Sequence, residues 1–383
     1  MIYLDTQAST PIHPEVSQKV REIMNTCYAN PHSQHSAGQQ AMHIIDMSRK
    51  SIADYLGVQF SEIVFTSGAT ESNNLAIQGV IKQALTKQDR VEIITTPIEH
   101  SSVIETIRVL ENNYPGRVSC KLIPIDSTGV VKPSDIESLL TSDTVLVSVI
   151  HANNEIGTIQ PIRDIGRMLK KYRPESEYPL FHSDGAQAIW SEKLQCQYSN
   201  LDLYSISGHK MYAPKGIGAL YVKKNTPIQP IMYGGGQEYN LRPGTLNAPL
   251  IAGLGYAFSL LQRDDHEQIL LNIKTLRDAF LHHLLTIEGV TPNGDLNNRL
   301  PHNINIFIPH KAADEMVIQA DLAGLAISAG SACHSGALQE SYVIQAIAPD
   351  NPIHASHSIR LSLSQYTTEE DIQKAFHIIK SLI

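Results

Sequence analysis

The stretch SISGHKMYAPKGIGALYV (205–222) sets a lysine between two apolar runs. Lys210 follows a β-like run and a Ser-Gly turn, and IGALYV (217–222) follows it as a buried strand. A lysine held at a strand end can be desolvated and deprotonated, and its amine can then form a Schiff base. A solvated loop lysine is the alternative, and it is the commoner case for a lysine met alone.

Strand and helix patterns alternate on both sides of this stretch, from about residue 60 to residue 255. VEIITT (91–96) and TVLVSVI (144–150) are further apolar runs that predict buried strands. This alternation is typical of an α/β fold with a mostly parallel sheet and helices on both faces. In such folds ligand sites form at the carboxyl ends of the strands, where we expect the functional residues.

The pattern changes towards the end of the chain. An amphipathic helix pattern covers 267–285, and the short strand-like run NINIFI (303–308) follows it. We therefore predict a large domain at 13–258 and a smaller α+β domain made of 1–12 and 259–383.

The composition argues against nucleic-acid binding, membrane contact, disulfides and a metal site. The 383 residues carry a formal net charge of −8, so we expect no direct nucleic-acid binding. The start of the chain has no leader pattern and no later stretch is apolar for long enough to cross a bilayer, so we expect a cytoplasmic protein with no membrane contact. The four cysteines (Cys27, Cys120, Cys196 and Cys333) are scattered singly, and the histidines form no helical metal-binding pair, so we predict neither disulfides nor a metal site.

In FHSDGAQA (181–188) the apolar stretch ends at an acid, Asp184, and Gln187 follows three residues later. A carboxylate here can keep a pyridine nitrogen protonated, which makes that ring an electron sink for a neighbouring carbanion. Gln187 can then contact the phenolic oxygen of the ring. The alternative is that Asp184 caps a following helix.

FTSGATESNN (65–74) joins a strand to a helix through small residues. Unpaired backbone donors and the helix dipole favour a dianion at such a helix start, which makes Ala69 and Thr70 candidate phosphate contacts. A capping turn built on Thr70 and Asn73 is the alternative.

The order of the motifs is more specific than any one of them. The chain carries, in order, SGAT (67–70), TPIEHSS (96–102), HANNEIG (151–157), HSDGAQ (182–187) and SGHK (207–210). In this it resembles the cysteine desulfurases of the NifS/IscS type, within the aspartate-aminotransferase-like fold of pyridoxal-phosphate (PLP) enzymes. The similarity runs nearly end to end, from YLDTQASTP (3–11) and NPHSQHSAG (30–38) to SAGSACHSG (328–336) and SIRLSLSQYTTEED (358–371).

The resemblance implies PLP as the cofactor, bound to Lys210 as a Schiff base. It implies that Asp184 pairs with the pyridinium nitrogen, Gln187 contacts the phenolic oxygen, and His100 stacks on the ring and assists proton transfer. Other implied cofactor contacts are Ala69, Thr70, Asn154, Ser207 and His209, together with Thr245, which would reach across from the second subunit of a homodimer.

The substrate implied by the resemblance is L-cysteine. Cys333 would attack the substrate sulfur and carry it as a persulfide, and its setting of Ser, Ala and Gly predicts a mobile loop. Arg360 would bind the substrate carboxylate through its planar fork of donors, with Asn154 beside it. The alternative for Cys333 is an incidental free cysteine, and the alternative for Arg360 is an ordinary surface salt bridge.

Other functions stay open. An aminotransferase, a selenocysteine lyase or a cysteine sulfinate desulfinase of the same fold would need Lys210 and Asp184 but not Cys333, and a non-catalytic partner protein would need none of them. The sulfur acceptor is a protein or thiol of unknown identity, in DNA phosphorothioation, tRNA thiolation or iron–sulfur assembly. Housekeeping relatives extend beyond the last helix with a scaffold-docking tail, whereas this chain stops at Ile383, so we expect an acceptor other than that scaffold.

Overall fold

The computed structural model describes residues 1–173, 176–330 and 340–383. Its strands are β1 (Ile2–Tyr3), β2 (Ile63–Thr66), β3 (Val91–Thr95), β4 (Val118–Leu122), β5 (Thr144–Ser148), β6 (Leu180–Asp184), β7 (Leu203–Ser207), β8 (Gly218–Val222), β9 (Thr291–Pro292), β10 (Asn303–Phe307), β11 (Leu325–Ala326) and β12 (Ser358–Ser362). Its α-helices are α1 (Pro14–Thr26), α2 (Ser36–Leu56), α3 (Ala69–Ala84), α4 (Ser101–Asn113), α5 (Pro133–Leu139), α6 (Ile162–Tyr172), α7 (Ala248–Leu260), α8 (His266–Leu284), α9 (Ala313–Leu322), α10 (Tyr342–Ile347) and α11 (Glu369–Leu382).

A seven-stranded sheet forms the centre of the fold, with the strand order β2-β8-β7-β6-β5-β3-β4. Only β8 runs antiparallel to its neighbours, and the other pairings in this sheet are parallel. Along β3, Ile94 belongs to one buried apolar cluster and Ile93 to another, so both faces of the sheet are covered. The predicted α/β fold with a mostly parallel sheet is confirmed.

The predicted elements are found where the sequence placed them. The strands β3, β5 and β8 fall within the predicted runs 91–96, 144–150 and 217–222. The helix α8 and the strand β10 cover the amphipathic pattern and the NINIFI run. Among the described residues, no helix is long and apolar enough to cross a membrane.

A second group of strands lies in the last third of the chain. The strands β9, β10 and β12 form an antiparallel sheet, and β1 pairs with β11 in a parallel ribbon. Thr6 and Gln7 of the N-terminal segment also bond to β12 and the residue after it, because the Thr6 hydroxyl donates to the Leu363 carbonyl and the Gln7 amide donates to Ser362 Oγ. The exact division at 1–12, 13–258 and 259–383 stays a prediction.

Candidate active site

A cavity of about 430 Å³ lies at the carboxyl ends of the central strands. Asp184 ends β6, Ser207 ends β7, and His100 follows β3, so the parallel arrangement brings residues from distant segments to one edge. The predicted site residues that line the cavity are Ala69, Thr70, His100, Asn154, Asp184, Gln187, Ser207, His209, Lys210 and Arg360.

Lys210 lies in a short turn of 3₁₀ helix directly after β7. Its Nζ donates to the carbonyl oxygens of Gln7 and Ala8, the second at 2.9 Å. These partners lie about 200 residues earlier in the chain. The N-terminal turn therefore fixes the position of the amine at the cavity.

Asp184 is buried, and its carboxylate is oriented by two donors. The Asn73 side-chain amide donates to Oδ2 at 2.7 Å, and the Ala186 backbone N–H donates to Oδ1 at 2.9 Å. The segment after Asp184 is a turn rather than a helix, so the alternative that Asp184 caps a helix is wrong. The carboxylate is instead fixed against α3 and faces the cavity lining.

His100 caps α4 and is linked to Asp184 through two polar side chains. The Ser102 backbone N–H donates to His100 Nδ1 at 3.1 Å, so the neutral ring carries its proton on Nε2. The Ser102 hydroxyl lies 2.8 Å from the same Nδ1 and accepts from Asn73 Nδ2 at 2.8 Å. Asn73 therefore fixes the position of Asp184 relative to His100, directly on one side and through Ser102 on the other.

The start of α3 has unpaired donors that face the cavity. Gly68 is the N-cap, with φ of 155°, and no side chain caps the first turn. The alternative of a capping turn built on Asn73 is wrong, because the Asn73 amide is committed to Asp184 and Ser102. The backbone N–H groups of Ala69 and Thr70 thus keep their capacity to bind an anion.

Basic side chains also line the cavity. Among them are His209 and Lys215. Burial, followed by the nearby charges of Lys210 and Lys215, lowers the pKa of His209 to about 4. In the absence of a bound anion the His209 ring is therefore neutral near pH 7, and it can serve an anion as a hydrogen-bond donor.

Arg360 is buried, lines the same cavity, and has several of its donors already used. Nη1 donates to the Asn154 carbonyl at 2.7 Å, and Nη2 donates to Asp5 Oδ1 at 2.8 Å and to Ser328 Oγ at 3.1 Å. The Asn154 Oδ1 atom is buried and has no hydrogen-bond partner among the described residues. A buried amide oxygen without a partner at a cavity wall indicates that a ligand completes the site.

Two predicted residues are not placed at this cavity. Thr245 is exposed in the loop before α7, and its contact with a second subunit stays a prediction. Cys333 lies outside the described residues.

The sequence did not predict the role of the residues that orient the others. Asp5 holds Arg360, Gln7 contacts Lys210 and Gln187, and Asn73 holds Asp184. Two signals for these roles were present in the sequence. YLDTQASTP (3–11) supported the resemblance without giving any residue a role, and Asn73 lies one helical turn after the predicted phosphate contacts Ala69 and Thr70.

Comparisons with known proteins identify the family. The sequence profile of Aminotransferase class-V matches residues 2–375. The chain is 38% identical over its whole length to the cysteine desulfurase IscS of Dictyoglomus turgidum, of which it covers 94%. The chain belongs to the class-V aminotransferases, in the cysteine desulfurase family. Another relative of this class-V chain is a mitochondrial cysteine desulfurase of Eremothecium gossypii, 38% identical over the whole chain and covered to 75%.

Solved structures of several similar proteins have the same fold. A NifS-like protein superposes with a TM-score of 0.90 at 33% identity, covering 99% of this chain and 98% of its own. A structure described as SspA in complex with cysteine gives a TM-score of 0.81 at 34% identity, with 96% and 100% coverage. DndA from Streptomyces lividans gives 0.78 at 33%, with 94% and 99% coverage.

The cofactor of this family is PLP, and the cavity residues fit it. The uncapped start of α3 can accept a phosphate, Asp184 presents a buried carboxylate, and Asn154 Oδ1 is a buried acceptor that lacks a partner among the described residues. Lys210 lines the same cavity.

Proposed function

We propose that this chain is a PLP-dependent cysteine desulfurase that converts L-cysteine to L-alanine and transfers the sulfur to Cys333. The observation that carries the proposal is the meeting of Lys210, Asp184 and His100 in one cavity, in a chain whose full-length relatives are cysteine desulfurases. The similar solved structure of SspA in complex with cysteine supports L-cysteine as the ligand of this chain.

When bound, PLP supplies an electron sink that stabilises negative charge at the Cα atom of the substrate. Asp184 would keep a proton on the ring nitrogen, and the Asn73 amide holds the carboxylate in place for that contact. Lys210 takes the proton from Cα, and the carbonyl oxygens of Gln7 and Ala8 position its amine. His100 would stack on the ring and could donate from Nε2.

The sulfur-transfer step belongs to Cys333. Its thiolate attacks the Sγ atom of the substrate, the new sulfur–sulfur bond forms, and the bond between Cβ and Sγ breaks with its electron pair on the carbon side. Protonation of that carbon gives alanine, and the persulfide passes to an acceptor. Asn154 and Arg360 hold the substrate carboxylate during these steps.

The second subunit and the acceptor are finer parts of the proposal. We propose a homodimer in which Thr245 of one subunit completes the phosphate site of the other, supported by its exposure in a loop. The acceptor is a protein or thiol of the DNA phosphorothioation, tRNA thiolation or iron–sulfur pathways. A cytoplasmic location stays a prediction.

The test is to quantify alanine and sulfide from purified protein supplied with L-cysteine and a thiol reductant, while recording the visible band of the cofactor. Cys333→Ser is expected to retain the cysteine-induced shift of the band and to lose sulfide release. Lys210→Ala is expected to lose turnover and the protonated Schiff-base band. Cys120→Ser is the matched control, because burial raises the pKa of Cys120 to about 12 and leaves it a poor nucleophile. Undiminished sulfide release by Cys333→Ser would contradict the proposed role of that residue, and the formation of pyruvate or a transaminated acid would favour the lyase or aminotransferase alternative.

A further inference from the structure

Gln7 lines the cavity, is 1% exposed, and has an amide donor that no described residue accepts. Its backbone is fixed on both sides. The Gln7 N–H donates to Ser362 Oγ at 2.9 Å, and its carbonyl oxygen accepts from Gln187 Nε2 at 3.0 Å and from Lys210 Nζ. Hydrogen bonds to both backbone groups therefore fix the position from which the Gln7 side chain extends.

The neighbouring residues determine the orientation of the Gln7 side-chain amide, and so which of its two ends has no hydrogen-bond partner. Arg299 Nη1 donates to Asn303 Oδ1 at 3.0 Å, which makes the other end of Asn303 its Nδ2. That Nδ2 donates to the Glu155 carbonyl at 2.9 Å and to Gln7 Oε1 at 2.6 Å. Because arginine can only donate, the chain of bonds fixes both amides, and Gln7 Nε2 is the unpaired atom.

A buried N–H without an acceptor is costly, which indicates that a ligand supplies the acceptor. Arg360 and Ser362 point to the same face of β12, because side chains alternate along a strand. The Gln7 backbone N–H bonds to Ser362, and Gln7 and Arg360 both line the cavity.

Arg360 alone is poorly equipped to bind a carboxylate in the usual two-pronged way. Both hydrogens of Nη2 are already donated, to Asp5 and to Ser328, and Nη1 uses one hydrogen on the Asn154 carbonyl. Nη1 keeps one hydrogen, and Nε–H has no partner among the described residues. Both two-donor edges of the guanidinium include Nη2, however, so neither edge has two free donors, and Asp5 already offsets the charge. A two-point contact with a carboxylate along one edge therefore needs a donor from outside Arg360.

We propose that Gln7 Nε2 donates a hydrogen bond to the α-carboxylate of the amino-acid substrate, beside Arg360. Gln7 is then a specificity-determining residue that distinguishes amino acids from simple amines. This inference rests on the proposed function, because it requires an amino-acid substrate in the same cavity.

The test compares L-alanine, the expected product, with ethylamine, which differs from it only in lacking the carboxylate. Dissociation constants are measured by titrating the holoenzyme and following the visible cofactor band, so the readout is binding and not turnover. Gln7→Glu keeps the oxygen that Asn303 needs and removes the donor, and Gln7→Leu removes the donor without adding a charge.

Both Gln7 variants are expected to weaken L-alanine binding about 10- to 100-fold, as expected for the loss of a hydrogen bond to a charged group, and to leave ethylamine binding unchanged. Gln160→Glu is the matched control. Gln160 is equally buried, but its amide is satisfied by the Val131 N–H at 2.8 Å and the Gly129 carbonyl at 2.7 Å, away from this cavity. The Gln160→Glu variant is expected to leave the ratio of the L-alanine and ethylamine dissociation constants unchanged.

Equal weakening of both ligands, or no weakening of either, would overturn the role of Gln7 and leave the proposed function intact. Loss of the cofactor band in both Gln7 variants would also overturn it, because Gln7 would then act on the cofactor site. A wild-type protein that shows no cofactor band would overturn the proposed function and this inference together.

Discussion

Replacing Asn73 with alanine tests whether the side chains behind the cavity control its chemistry. Asn73 Nδ2 donates to Asp184 Oδ2 at 2.7 Å and to Ser102 Oγ at 2.8 Å, and the residue is fully buried. The first bond is charge-assisted, and losing such a bond costs ~1.5–3 kcal/mol. If that cost falls on the reacting state, kcat decreases by about 10- to 150-fold.

The assay is the initial rate of alanine formation over a range of L-cysteine concentrations, so that kcat and KM are obtained separately. We expect kcat to decrease and KM to stay nearly constant, because Asn154 and Arg360 do not contact Asn73. Asn74→Ala is the matched control on the same helix, since the Asn74 amide donates only within α3, to the Thr70 carbonyl at 2.9 Å. Indistinguishable kinetics for the Asn73→Ala and Asn74→Ala variants, or a change confined to KM, would refute the reasoning.

Two further predictions concern stability. Burial raises the pKa of Glu99 to about 8 from 4.5, so the stability from its neutral form is complete below pH 4.5 and is lost as the pH rises through 8. In urea unfolding at several pH values, the wild type is expected to lose stability relative to Glu99→Gln by up to about 1.4 kcal/mol per pH unit in that window, and parallel curves would contradict this. The buried pair of Arg49 Nη2 and Glu238 Oε1, 2.6 Å apart, predicts that Glu238→Gln costs about 3–5 kcal/mol of unfolding free energy. Asp54→Asn breaks the exposed pair with Lys50 on the same helix and is expected to cost less than about 1 kcal/mol, so similar losses for both variants would count against the prediction.

Much of the site was predictable because its residues end recognisable local patterns. The apolar run of β6 ends at Asp184, that of β7 precedes Lys210, and small residues join β2 to α3 at Ala69 and Thr70. In a parallel sheet the carboxyl ends of the strands meet at one edge, so local patterns were enough to predict that these residues share a cavity. The order of the motifs then indicated the family, which the comparisons confirm.

The two alternatives that proved wrong show where local patterns mislead. Both assigned a polar residue to a nearby helix end, because capping is the commonest use of Asp and Asn at such places. The structure instead joins the two residues in question, since Asp184 accepts from Asn73 across 111 residues of sequence. No periodicity within either segment carries information about the other segment.

The sequence by itself determined the α/β fold and the edge of the sheet where Lys210 and Asp184 meet, because those follow from patterns within single segments. The tertiary structure alone decided that Asp5 occupies part of Arg360, that Asn73 orients Asp184, and that Gln7 is left with a free donor at the cavity. Each of these depends on side chains that pack together from remote parts of the chain. The burial that makes an unpaired amide meaningful exists only after the chain has folded.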